Sequence, residues 1–82
     1  MMTATLQAAE IIRDALRQAA RECDCKPSEA LRAKIGNKAA ITARNIAVRL
    51  AYDQGIPRPV LAEAFGRSVK TIGDALLMSR RD

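Results

Sequence analysis

From Thr3 or Thr5 onward, the stretch "LQAAEIIRDALRQAARE" repeats its apolar residues at helical spacing. Leu6, Ala9, Ile12, Leu16, Ala20 and Cys23 share one stripe, while Arg13, Asp14, Arg17, Gln18 and Arg21 fall outside it. A threonine ahead of the run is a competent N-cap, so the pattern predicts an N-terminal helix over about 4–23. Pro27 suits the first position of a second helix, where its missing N–H would lack a partner anyway. "PSEALRAKI" then forms that helix, with Gly36 as its stop. Asn37 caps a third and longer helix, "NKAAITARNIAVRLAYDQG", ending at Gly55. Its apolar positions, Ile41, Ile46 or Ala47, Val48, Leu50 and Ala51, are dense enough for the central buried element.

Pro57 and Pro59 lead into a fourth helix, "PVLAEAF", which Gly66 ends; Ser68 caps a fifth, "VKTIGDALLMSR". No alternating pattern predicts a strand, and no repeat or low-complexity linker interrupts the chain. The expectation is a single all-α domain over 1–82, a compact bundle of about five helices.

Residues 58–79 have the layout of a helix-turn-helix. Such a motif needs a small residue where the helices cross, a turn residue tolerant of positive φ, and apolar groups that lock the angle. Ala62 is the small contact, Gly66 the turn residue, and Leu61, Phe65, Ile72, Ala75 and Leu76 the lock. The fifth helix, about 68–79, would present its first turn to base edges in a major groove. Ser68, Val69, Lys70, Thr71 and Asp74 are the candidates for base contact. Lys70 can donate to guanine, Thr71 can bond a base or touch a thymine methyl, and Asp74 can accept from cytosine N4. Gly73 weakens a helix by roughly 1 kcal/mol relative to alanine, which close approach of its backbone to DNA or to another helix would offset.

Charge sharpens this picture. The net charge is +5, but residues 1–25 are slightly acidic and the excess lies beyond them. A basic portion in a small domain suggests a polyanion, nucleic acid above all. Candidates for phosphate contact are Lys34, Lys38, Thr42, Arg44, Arg58, Arg67, Arg80 and Arg81. Cys23 and Cys25, two residues apart in "CDC", are too close in sequence to bridge easily and have no histidine to complete a zinc site, so no metal or cofactor is expected. With no histidine and no paired carboxylates, no enzyme is expected either. No apolar run reaches the ~18 residues of a membrane helix, and "MMTATLQAAEIIRDAL" lacks a basic n-region before an apolar block. The expected location is cytoplasmic.

From about Ala20 to Leu77 the chain resembles the C-terminal DNA-binding domain (domain IV) of the bacterial replication initiator DnaA, in the Trp repressor-like superfamily. "AARECDCKPSEALRAK" looks like that family's first helix end and short second helix, and "ARNIAVRLAYDQ" is similar to its long central helix. "RPVLAEAFGR" resembles its "LPEIGxAFGGR" segment at Pro59, Ala64, Phe65, Gly66 and Arg67. The resemblance implies major-groove contacts from an Asp-His-Thr-Thr signature, whose positions are here Ser68, Val69, Lys70 and Thr71, so only the last residue is kept. It also implies a minor-groove arginine, whose position is here Thr42, with Arg44 two residues on and Lys34 and Lys38 nearby. The family's own target sequence is therefore not expected, and without a G-x-x-x-x-G-K-[ST] motif neither is initiation itself.

These features lead to the expectation of a small, sequence-specific double-stranded DNA-binding protein, a transcriptional or replication regulator of a bacterium, phage or mobile element. The alternative is a protein-interaction module, an antiactivator or anti-repressor, that keeps the fold without specific DNA binding. A homodimer through the N-terminal helix is a further expected partner if the Leu6–Ile12–Leu16 stripe is not core.

Overall fold

A computed structural model describes residues 2–78, with side chains from Gln7 onward. Five helices follow in chain order: α1 (Met2–Glu22), α2 (Pro27–Leu31), α3 (Lys38–Asp53), α4 (Arg58–Phe65) and α5 (Val69–Met78). Among the described residues there is no strand. The Cα radius of gyration, 11.6 Å, matches the roughly 12 Å of a compact chain of this length.

The helix ends follow local chemistry. Asn37 Oδ1 accepts from Ala40 N at 3.1 Å and caps α3. Ser68 Oγ accepts from Thr71 N at 3.1 Å and does the same for α5. Gly66 closes α4 in the left-handed region at φ 63°. Its N–H reaches Glu63 O and the next N–H, of Arg67, reaches Ala62 O at 2.9 Å, the two bonds of a Schellman motif. The same pair of bonds ends α1 around Asp24, at φ 55° without being glycine.

Three boundaries differ from the sequence expectation. Helix α1 runs through Thr3 and Thr5, so neither threonine precedes it as a cap. Helix α2 stops at Leu31 after little more than one turn, and residues 32–37 form a loop. Gly36, at φ 99°, bends that loop rather than closing the helix. In α4, Arg58 rather than Pro59 takes the first helical position.

Helix α3 is the spine, packed by α1 on one side and α5 on another, with α2 against α1 and α3 and α4 against α5. The core holds Ile12, Leu16, Val48, Ile56, Leu61, Phe65, Ile72 and Leu76, yet more than half of the buried hydrophobic side chains are alanines. Leu61, Ile72 and Val48 are the largest fully buried groups. The α1 stripe is offset from its expected line: Ala15 and Ala19 join Ile12, Leu16 and Ala20 inside, while Ala9 is exposed. Ala9 instead lines an apolar groove of 700 Å³ between α1 and α4, with Ile56, Pro57, Val60 and Ala64. Ile12 and Leu16 are spent on the core of the single chain. On α3, Ile41 and Leu50 are only half-buried, and Asn45 is the buried polar side chain. No helix among the described residues is long and apolar enough to cross a membrane.

Candidate nucleic-acid interface

Helix α5 turns Ile72, Ala75 and Leu76 into the core. The helical period therefore leaves Lys70, Gly73, Asp74 and Leu77 along its outer ridge, with Val69 beside them. Lys70, Asp74, Val69 and Leu77 are all exposed. Thr71 is half-buried, and its hydroxyl shares a 3.0 Å hydrogen bond with Ser68 Oγ. Ser68 and Thr71 thus form the cap of α5 together, which leaves Lys70 and Asp74 as the polar side chains that stand clear of the helix. A Cβ added at Gly73 would meet nothing within 4 Å. Of the two close approaches that could explain this glycine, packing against another helix does not occur among the described residues.

Two arginines of α3 interact with α5 or with the residue pair before it. Arg44 lies close enough to Arg67, just before α5, for the second guanidinium to lower its pKa, with burial as the larger cause. Arg49 Nη2 donates to Leu76 O near the other end of α5 at 2.7 Å. Arg49 thereby ties the second half of α3 to α5. Arg67 Nη2 also donates to Ala33 O at 2.8 Å, which ties the α2–α3 loop to the turn between α4 and α5. Arg67 thus faces both Arg44 of α3 and the Ala33 carbonyl of the α2–α3 loop, and the other sequence candidates Lys34, Lys38, Thr42, Ser68 and Lys70 lie in these segments or at the start of α5.

Within that group the cations are not equivalent. Lys34, Lys38, Lys70 and Arg67 are exposed, as is Thr42 one helical turn beyond Lys38. Arg44 is half-buried; its Nη2 donates to Asn45 Oδ1 at 3.2 Å, and its Nε is buried without a partner. Its charge is held partly inside the fold. Arg58 lies elsewhere, over the Tyr52 ring at 5.7 Å. Arg58 shares with Arg49, Gly73 and Asp74 a groove of 490 Å³ along the flank of α5. Asp74 therefore fronts a groove with two guanidinium groups, a setting its sequence position does not reveal. Arg80 and Arg81 lie outside the described residues.

Arg49 and Tyr52 take part here and were not among the sequence candidates. Arg49 also pairs with Asp53 at 3.6 Å, an i,i+4 spacing visible in the sequence. Its bond to a carbonyl 27 residues away has no local signal. Cys23 and Cys25 are free and half-buried, and no group of three or more histidine, cysteine or acidic residues gathers to hold a metal among the described residues. No protein-family model, curated protein or solved structure matches the chain.

Proposed function

We propose that the chain is a sequence-specific double-stranded DNA-binding regulator in which α4, the Gly66 turn and α5 act as a helix-turn-helix, with α5 in the major groove. The observation that carries this reading is the exposed ridge of α5, preceded by Arg67, which is itself exposed and held to Ala33 O next to the exposed Lys34. Base edges are met by Lys70 and Asp74, with Ser68 and Val69 at the helix start and Thr71 confined to the cap. Lys34, Lys38, Arg58 and Arg67 hold phosphates, which fixes register without reading sequence. If these four each neutralise one phosphate, the log–log dependence of affinity on salt has a slope of about −3.6.

The test is selection from a random duplex library at about 150 mM salt, near physiological screening. An enriched sequence, lost with Lys70→Ala while the variant keeps its helical circular dichroism, supports the reading. Recovery no better than a bead-only control overturns it.

A second reading, a protein-interaction module, draws on the exposure of Val69, Leu77 and Met78 along α5. A protein partner held by that apolar surface would stay bound at 1 M salt, where the Debye length falls to about 3 Å and a DNA complex dissociates.

A further inference from the structure

The turn between α1 and α2 holds two thiols that the DNA-binding reading leaves unused. Cys23 and Cys25 are free and half-buried, and both pack against the hydrophobic core. Residues two apart on a continuous helix do not face each other. Here Asp24, in the left-handed region at φ 55°, breaks the helical path between them, so that both side chains reach the same core. The backbone is fixed on either side of it. Cys23 N donates to Ala19 O at 3.0 Å, and Cys25 N donates to the next carbonyl, Ala20 O, at 2.9 Å. The sulfurs are near enough that Cys23, after burial, helps to push the Cys25 thiol up.

The donor set selects the ligand. The sequence holds two cysteines and no histidine, and among the described residues no three histidine, cysteine or acidic side chains gather. Zinc takes four protein ligands in structural sites and three in catalytic ones, so it is not matched. Thiolates are soft donors that select Cu(I), and Cu(I) is satisfied by two sulfurs opposed in a line. Two metal–sulfur bonds of about 2.3 Å set the sulfurs roughly 4.6 Å apart. A disulfide would need them at about 2.0 Å, a closer approach than such near neighbours in the chain make easily. The carboxylates of Glu29 and Asp24 also act on the Cys25 thiol, and their charge favours a cation there.

We propose that Cys23 and Cys25 form an intrachain chelate for a single Cu(I) ion at the α1–α2 turn. Each sulfur releases its proton to solvent and forms one bond to the ion, and no atom changes oxidation state. The site stands apart from the DNA-binding reading, since none of the base or phosphate candidates takes part in it. Bound there, the ion links the end of α1 to the residues that lead into α2. The folded chain already brings the two thiols together, so binding favours the folded form.

The experiment is an anaerobic titration of the purified chain with Cu(I), supplied as its acetonitrile complex, against a chromogenic Cu(I) chelator. The wild type is expected to retain one ion per chain without dimerising and to have both cysteines protected from iodoacetamide. Cys23→Ser and Cys25→Ser are each expected to lose more than about a hundredfold in affinity, beyond the 10–100-fold cost of disturbing only an outer-shell partner. Asp24→Asn, which keeps both thiols, is expected to bind as the wild type does. Cu(I) should raise the melting temperature of the wild type and of Asp24→Asn, and leave the serine variants unchanged. Should a serine variant lose its helical circular dichroism, the wild-type stoichiometry and alkylation pattern still decide. Release of all the copper to the chelator, one ion shared between two chains, or wild-type retention by either serine variant overturns the chelate. Equally tight retention of Zn2+ by the wild type overturns the selection of Cu(I).

Discussion

Gly73→Ala separates what the fold needs from what the outer ridge of α5 does. An added Cβ meets nothing within 4 Å, and the residue is helical, so the substitution carries no steric cost inside the chain. It removes the glycine penalty, about 0.8–1.0 kcal/mol in a helix interior. Unfolding entropy of about 2.1 cal/mol/K per residue gives about 0.17 kcal/mol/K for 82 residues, so the melting temperature should rise by about 5 °C. On DNA the same methyl acts in the opposite direction. If the Gly73 backbone lies against the duplex, a methyl forced into that contact costs about 1–3 kcal/mol, a loss of roughly 5- to 150-fold in affinity. Thermal melting by circular dichroism and fluorescence anisotropy on the selected duplex measure the two effects on one preparation. A higher melting temperature with unchanged affinity refutes close approach at Gly73. A lower one refutes the open space around it.

Gly66 and Asp24 occupy the same kind of helix end and should respond oppositely. Gly66→Ala puts a Cβ at φ 63° and should destabilise the domain by about 1–2 kcal/mol, measured as a lower urea midpoint. Asp24→Gly relieves the same conformation at φ 55° and should raise that midpoint, by up to about 1 kcal/mol because aspartate tolerates it better than most residues; a lower midpoint would show that the Asp24 side chain has a role of its own. For Cys25, burial pushes the thiol above its ordinary pKa, and the neighbouring Cys23, Glu29 and Asp24 add to the effect. The folded chain therefore holds this proton longer than the unfolded chain does. Cys25 should react with iodoacetamide at pH 8 more slowly than in urea. Its contribution to stability should be complete below the unfolded value of about 8.5 and be lost as pH rises through the higher folded value. A pH dependence of the urea midpoint identical to that of Cys25→Ser would count against this.

What could be read from the sequence was whatever a few neighbouring residues decide. The caps at Asn37 and Ser68 and the stop at Gly66 depend on one side chain and its own backbone, so their positions were legible. The face of α1 was less so, because alanine fills both sides of that helix. Nothing in "AA" tells Ala9 from Ala19; the packing of α3 decides which is buried. Helix α2 ends early because a helix of about one turn has little cooperative strength of its own and its limits follow its neighbours. The cations were the hardest to read. Arg44 and Arg67 look alike in sequence, yet one is drawn half inside beside Asn45 and the other braces the α2–α3 loop through Ala33 O. Asp74 looked solitary until the fold set it on a groove shared with Arg49 and Arg58. A charge acquires its role from what faces it, and the facing residues here are mostly far away in the chain.

The prevalence of alanine in the core reaches beyond packing, to how long the molecule survives. Small side chains let helices lie close, but each removes little apolar surface from water, so the folding margin of such a domain belongs at the low end, about 5 kcal/mol. Binding that favours the folded form adds to that margin, about 2.7 kcal/mol at a ligand concentration a hundred times Kd. The unfolded fraction then falls about a hundredfold, and with it the supply of chains open to a protease. If the chain binds as proposed, occupied and unoccupied copies should turn over at different rates. On the DNA-binding reading, the steady level of the protein should then follow the number of sites it occupies, with the thin core clearing the surplus.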